Sequence, residues 1–467
     1  MKKLNEIIEC SFDIDILGIA DDSRLIDDGF LFVATKGYNV DHFDYINDAI
    51  ANGAVAIISD RFIEATVPVV IVDDVNSLFP ILCQKFYDVV PDDFQLIGIT
   101  GTDGKTTTAS VVRQLMIGSV DVAYIGTNGV DVFDKHYDTN NTTPCISELY
   151  QCLSIIKDNN CFTIVMEVSS EALLHNRISG LKFDVIAFTN ITEDHLNVHG
   201  NIENYRNSKF LLINYLKDNG KIFVNGDDTN CQMLTDKRVS NYGVNNDNDF
   251  TFFDVKLING FSYFNIRDNN SSRTYEIMSP LLGEYNIYNV TLAFLICLSF
   301  NISPSLLIDR IQNLCVVSGR RELLNFGQNF DIILDYAHTL NGIVNVLKSV
   351  SDYKRVITVT GAAGGREREK RSKIGKVVLE MSDFVIFTMD DPRNESVDDI
   401  IDDMISISDK KNFERVIERD KAIFRAFSLA NDGDVVLILG KGRDNYMAIG
   451  NKKIPYCDYD VIKKYFD

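Results

Sequence analysis

Short apolar runs alternate with amphipathic stretches along most of the chain. The runs at 30–34 and 54–58 have strand length, and 45–52 has helical spacing closed by Gly53. The segment 91–93, a proline followed by two aspartates, reads as a linker. From residue 94 the pattern becomes strand, helix, strand. The segments 94–100, 161–167 and 184–189 are near-continuous apolar runs, as expected of parallel strands covered on both faces. Runs at 251–258 and 261–266 flank Asn259-Gly260, a two-residue hairpin signal that predicts an antiparallel addition to this sheet. A third unit starts near Gly319. Its strands are expected at 330–335, 355–360, 384–388 and 435–439, separated by helices at 340–350, 372–381, 397–407 and 421–430. The expected fold class is α/β in three domains: 1–93, 94–317 with a mostly parallel sheet, and a Rossmann-like 318–467.

Composition narrows the classes of partner. There are 46 Lys and Arg against 67 Asp and Glu, a net charge of −21. The richest basic stretch, 366–373, is interrupted by Glu367 and Glu369, so no face is expected to bind a nucleic-acid backbone. The nine cysteines include no C-x-x-C pair, and the six histidines show no metal-ligand spacing with them, which suits reduced thiols. The N-terminal residues show no secretory apolar region, and no 18-residue apolar run occurs. A soluble, cytoplasmic monomer with no membrane insertion is expected.

One segment carries clear chemistry. After the run 94–100 come Gly101, Thr102, Asp103, Gly104, Lys105, Thr106 and Thr107, followed by a helical pattern. A strand, a glycine-rich turn and a helix start make a phosphate cradle, because backbone N–H groups approach the anion and the helix N-terminus adds partial positive charge. Lys105 is placed to reach the β/γ-phosphates, and the Thr106 hydroxyl to reach Mg²⁺. The usual first glycine of such loops is replaced by Ile99. Glu167 ends an apolar strand, where ligands collect in open α/β sheets, and suits Mg²⁺ or a helix start equally. His195 also follows a strand end and, taken alone, reads as a structural hydrogen bonder. Lys209, taken alone, reads as a surface lysine lying along apolar neighbours.

The order of these motifs resembles the Mur ligases, the ATP-dependent amino-acid ligases of peptidoglycan synthesis. The matches are Gly104-Lys105-Thr106, Glu167-Val168-Ser169-Ser170, Asp194-His195-Leu196 and Lys209-Phe210-Leu211-Leu212. Asp22-Ser23-Arg24 and the run 31–34 match an N-terminal UDP-binding domain. Asn141-Thr142-Thr143-Pro144, Ser169 and Arg177 match positions facing the sugar-peptide, and the run 283–289, ending in Asn289, an adenine-side motif. Gly319-Arg320-Arg321-Glu322 and Asp335-Tyr336-Ala337-His338 match the start of the third domain. Gly361-Ala362-Ala363-Gly364, Lys370-Arg371, Asp390-Asp391-Pro392-Arg393 and Gly440-Lys441-Gly442 narrow the resemblance to the MurE type, which adds the third peptide residue to UDP-N-acetylmuramoyl-L-alanyl-D-glutamate.

The resemblance implies ATP and Mg²⁺, and a two-step reaction through an acyl phosphate. It implies Lys105, Glu167, His195 and Lys209 as catalytic residues. Thr106 and Glu167 would hold one Mg²⁺, His195 a second, and Lys209 would ligate metal if carbamylated. Arg320 and Asp335 would meet ATP, with Asp390, Asp391, Pro392, Arg393, Gly440 and Asp444 at the amino acid. Arg393 could take the distal carboxylate of meso-diaminopimelate bidentately and would repel the ammonium of L-lysine, which puts meso-diaminopimelate ahead. Two departures bear on that pocket. Asp391 stands where the family usually has Asn, making it more acidic, and Arg443-Asp444 replaces the usual His-Glu. The alternatives are a folylpolyglutamate synthetase-like amide ligase and an inactive binder of UDP-muramoyl peptides.

Overall fold

The computed structural model describes residues 1–37 and 40–467. A parallel four-stranded sheet, ordered Gly18–Ala20, Phe30–Val33, Ala54–Ser59, Val69–Ile71, occupies the N-terminal part. The helix Ile46–Ala51 lies where the spacing predicted one, extended N-terminally by the 3₁₀ turn His42–Tyr45. Residues 91–93 connect the first sheet's helix Val75–Tyr87 to the next sheet. They form a 3₁₀ turn with Pro91 buried, because the chain stays against the core as it enters the next sheet.

The central sheet has eleven strands. Its parallel part runs Val122–Gly126, Thr163–Glu167, Gln95–Thr100, Phe183–Phe188, Leu216–Asn225, Val239–Gly243, Phe250–Ile258. The predicted hairpin pairs Phe250–Ile258 with Phe261–Asp268, and Asn259 and Gly260 take φ of 51° and 77° at its turn. The other edge carries a second antiparallel addition, Gly129–Val132 and Lys135–Tyr137, which the apolar pattern did not reveal.

Helix Lys105–Met116 covers one face of this sheet together with Glu284–Ser299. The latter buries residues on every side, including Asn286, Asn289 and Val290. The opposite face joins a core that also takes Leu31, Val33 and Ile58 of the first sheet, through helices Val75–Tyr87 and Ile146–Asp158.

The third sheet is ordered Glu322–Leu324, Asp331–Asp335, Asp434–Leu439, Arg355–Thr360, Phe384–Phe387, Phe413–Arg415, parallel except for its first pair. Helices Leu340–Lys348, Arg368–Met381 and Val397–Ile405 pack on one face and Arg419–Leu429 on the other. This is the doubly wound arrangement that the strand–helix alternation predicted. Among the described residues no helix is long and apolar enough to cross a membrane.

Candidate active site

The glycine-rich loop leaves the buried end of Gln95–Thr100. The helix that follows it leads to Val122–Gly126, passing over Thr163–Glu167, so the loop opens into a crevice at the carboxyl ends of the strands. Two glycines are required by contact as well as by φ. A Cβ on Gly101 (φ +150°) would stand 1.9 Å from Thr189 Oγ1, and one on Gly104 (φ +84°) 2.5 Å from Asn289 Oδ1. Thr189 and Asn190, at the end of the next strand, brace the loop. Thr102 N–H donates to the Asn190 carbonyl (2.8 Å), Asp103 N–H to Asn190 Oδ1 (3.0 Å), and Asn190 Nδ2 to the Asp103 carbonyl (3.0 Å). Lys105 folds over the loop and donates to the carbonyls of Gly101 and Thr102 at 2.8 and 2.9 Å.

Thr106 and Glu167 meet directly. The Thr106 hydroxyl donates to Glu167 Oε2 at 2.9 Å, and Glu167 is fully buried. Its Oε1 accepts from the Tyr124 hydroxyl and from Thr127 N–H (3.0 Å). Thr106 Oγ1 also accepts from Arg320 Nη2 at 3.1 Å, and the Thr339 hydroxyl donates to Asp103, so the third domain reaches the phosphate loop twice. Asp335 is clamped by the N–H groups of Arg321 and Ala337 (2.6 and 2.7 Å), and Arg320 lies 4.5 Å over the Tyr336 ring.

A cavity of about 680 Å³ gathers most of the residues singled out in the sequence. Thr102 through Thr107, Asn141, Thr142, Glu167, Ser169, Arg177, His195, Asn289, Arg320 and Asp335 all line it. Thr143 sits just behind, donating to the Glu167 carbonyl (2.9 Å) and accepting from Ser169 N–H (3.0 Å). Ser23 and Arg24 are on the N-terminal sheet's 3₁₀ turn and do not line this cavity; Arg24 pairs with Asp22.

His195 adopts φ +53° and stands between carboxylates, Nδ1 3.4 Å from Glu171 and Nε2 3.5 Å from Asp194, with an Arg366 nitrogen 3.5 Å from Nδ1. Its hydrogen bond and charge pull Glu171 down to about 2. Asp194 is buried, which would raise it, yet His195 and Lys370 outweigh the burial and hold it well below the usual carboxylate range. Lys370 Nζ lies 2.7 Å from Asp194. Lys209 is no surface lysine. It is 2% exposed and lies behind the loop, donating to the Gly101 carbonyl (2.8 Å) 4.4 Å above the Tyr205 ring. Burial, reinforced by the charge of Lys105, pushes its amine well below the ordinary lysine range.

A second cavity of about 180 Å³ lies between strand ends of the third domain. It is lined by Asp390, Asp391, Arg393, Gly440 and Asp444, with Pro392 outside the lining. Asp194, His195, Tyr336, His338 and Arg366 line both cavities, so the two are neighbours that share these side chains as a common wall. Asp391 and Arg393 hold φ of 44° and 51°, conformations that cost ordinary residues energy and persist where the surroundings fix them. Arg393 N–H donates to the Ala448 carbonyl at 3.0 Å.

The expected extra acidity of this pocket is offset. Asp391 Oδ1 is 2.9 Å from Lys441 Nζ and accepts from Ala448 N–H, and the same ammonium lies 3.4 Å from Asp444. Lys441 is 1% exposed. Burial raises Asp444 to about 6 against the pull of Lys441. Arg443 points away from the cavity: it forks onto Glu322 and stacks 3.5 Å over the Tyr459 ring. Lys441, Tyr336, His338 and Arg366 were not singled out as individual site residues from sequence. The motifs contained the first three and Arg366 stood only in the basic stretch 366–373; the fold alone gives them directions.

Comparison with known proteins covers nearly the whole chain. Residues 14–87 match the description "Mur ligase family, catalytic domain", 99–297 "Mur ligase middle domain", and 319–442 "Mur ligase, glutamate ligase domain". A protein of Bacillus licheniformis named UDP-N-acetylmuramoyl-L-alanyl-D-glutamate–2,6-diaminopimelate ligase is 35% identical, over 97% of this chain and 95% of its own. The Bacillus cereus protein of that name is 34% identical, over 99% and 98%. A solved structure of a ligase with the same name superimposes with a TM-score of 0.65 at 25% identity, covering 100% of this chain and 99% of the other. With identity above 30% sustained from end to end, the chain belongs to the Mur ligase family of ATP-dependent amide ligases.

Proposed function

We propose that this ligase joins meso-diaminopimelate to UDP-N-acetylmuramoyl-L-alanyl-D-glutamate in peptidoglycan precursor synthesis, through an acyl phosphate. The observation that carries the reading is the adjacency of the two cavities. A glycine-rich loop cavity and an Arg393-bearing pocket share Asp194, His195, Tyr336, His338 and Arg366 as lining. The names of the relatives support the substrate pair. Domain limits are placed at 93/94 and 317/318.

In the first step the D-glutamate γ-carboxylate oxygen attacks the ATP γ-phosphorus and ADP leaves. In the second, the α-amine of the incoming residue attacks the acyl carbon and phosphate leaves. Phosphoryl transfer is governed by positioning and charge neutralisation. Lys105 would turn from the loop carbonyls to the γ-phosphoryl oxygens. Arg320, from the third domain, would add a second positive charge beside Thr106. Asn289, behind Gly104, would bound the nucleotide, and Asp335 would hold the Arg320–Arg321 turn in place. Asn141, Thr142, Ser169 and Arg177 would orient the sugar-peptide, while Ser23 and Arg24 would meet its uridine end.

Among the described residues no three His, Cys, Asp or Glu side chains gather to cage a metal. Thr106 and Glu167 nevertheless offer two hard oxygens 2.9 Å apart. That fits Mg²⁺, which takes one or two protein oxygens and completes its shell with phosphates and water. Bound there, it would neutralise charge developing on the transferred phosphoryl group. His195, and Lys209 in carbamylated form, would serve a second ion.

In the amino-acid pocket Arg393 would fork onto the distal carboxylate that L-lysine lacks, with Asp390 and Asp444 as acceptors for ammonium groups. The test is phosphate release from ATP with the UDP-dipeptide and, in parallel, meso-diaminopimelate, L-lysine and L-ornithine. Release with meso-diaminopimelate alone is expected. Release with L-lysine alone would reassign the pocket, and release with none would reject the substrate pair.

A further inference from the structure

A buried guanidinium ties the two strand ends that carry the amino-acid pocket, beside the Lys441–Asp391 ion pair. Arg419 opens the helix Arg419–Leu429 and is 1% exposed. Its Nη2 donates to the Leu439 carbonyl at 2.8 Å, and Nη1 to the Met389 carbonyl at 3.3 Å. Leu439 and Met389 immediately precede Gly440 and Asp390. The rest of the guanidinium forks onto Asp458, Nε at 2.8 Å and Nη2 at 2.7 Å, with no exposed area on either side chain. The Tyr456 hydroxyl donates to Asp458 at 2.9 Å.

Almost no slack separates the two ends. Gly440 has φ +108°, and a Cβ there would stand 2.1 Å from Asp390 Oδ2. Burial pushes the Asp390 carboxyl up, and the charges of Arg419 and Lys441 oppose that push. Desolvating an ion pair costs several kcal/mol, so an apolar pair of similar volume would serve stability at least as well. A guanidinium does what an apolar pair cannot: its planar fork ties two carbonyls and one carboxylate at fixed angles.

We propose that Arg419, held by Asp458 and Tyr456, is a positioning residue of the amino-acid pocket. It sets the separation of Asp390 from Gly440, and with it the fit of an α-amino acid, without touching the substrate. Asp458 opens the C-terminal helix Asp458–Phe466, so that helix is anchored to the pocket floor through the same group. The proposal rests on the assignment of this cavity to the amino acid.

Steady-state phosphate release in Arg419→Lys, Asp458→Asn and Tyr456→Phe tests it, with Arg393→Ala in parallel. Arg419→Lys keeps the charge but loses the fork, and Tyr456→Phe removes one hydrogen bond only. The expected KM for the amino acid rises about 10-fold in Arg419→Lys and about 2-fold in Tyr456→Phe, while KM for ATP and for the UDP-dipeptide is unchanged in both. A common rise of all three KM values, or an unchanged amino-acid KM in every folded variant, overturns the role. If the two harsher variants do not fold, Tyr456→Phe decides by the same ratio. A raised amino-acid KM in Arg393→Ala with none in Arg419→Lys overturns positioning alone. An unchanged KM in Arg393→Ala overturns the pocket assignment and the positioning role together.

Discussion

Replacing Glu167 with glutamine probes the centre of the proposed nucleotide site with little change in volume. Four donors converge on this buried carboxylate: the hydroxyls of Tyr124, Thr106 and Thr127 and the N–H of Thr127. Glutamine can keep an oxygen toward Tyr124 and Thr127. Its NH₂ then faces Thr106 Oγ1, which already accepts from Arg320. One charge-assisted hydrogen bond is lost and a second donor is crowded in, a cost of about 1.5–3 kcal/mol to the fold. If Glu167 also contributes a negative oxygen to Mg²⁺, kcat falls by about 100-fold, or about 2.7 kcal/mol of barrier, and half-saturation moves to higher Mg²⁺. The assay is phosphate release at saturating substrates across a Mg²⁺ titration, with a thermal melt of the same preparation. A kcat within threefold of the parent and an unmoved Mg²⁺ midpoint, in a variant that melts normally, would refute the reasoning.

Arg393→Ala is expected to raise the KM for meso-diaminopimelate about 30-fold, the worth of a bidentate carboxylate contact, and to leave ATP KM unchanged; substrate-saturation curves check it. Gly104→Ala forces a side chain into φ +84° and 2.5 Å from Asn289 Oδ1. An ATP KM about 10-fold higher is expected, with the amino-acid KM spared. Asp444 titrates near 6 because burial opposes its charge. The amino-acid KM should therefore climb as pH falls through about 6, and Asp444→Asn should abolish that inflection. Because its folded value lies above the ordinary 3.8, its contribution to stability is full below about 3.8 and lost as pH rises through about 6. Asp444→Asn should gain relative stability at neutral pH, read by chemical denaturation.

Much of the architecture was legible because its signals are local. The apolar runs of the third domain and the Asn259-Gly260 turn need no distant partner to be read. The edge hairpin Gly129–Val132 and Lys135–Tyr137 escaped because its strands are short and carry Asp131, Lys135 and His136, and its turn, Phe133-Asp134, holds no glycine. The phosphate loop and Glu167 were legible because a strand end and a glycine spacing announce them. Lys209 was not, since its burial comes from Tyr205 and the loop folding over it. The directions of Arg443 and Lys441 depend on Glu322 and Asp391, 121 and 50 residues away. No periodicity reports such partners.

The apolar core that joins the first two sheets has a thermodynamic corollary. Leu31, Val33 and Ile58 pack in one cluster with Leu96, Ile164 and Ile186 through the helices Val75–Tyr87 and Ile146–Asp158, whereas the third domain has separate clusters of its own. Functional division into three parts therefore does not mean three independent melting units. Residues from the N-terminus to the end of the central sheet should unfold cooperatively as one block, and the C-terminal domain as another. Calorimetry should resolve two transitions. A nucleotide gripped by the phosphate loop and by Arg320 together should draw those two transitions toward each other.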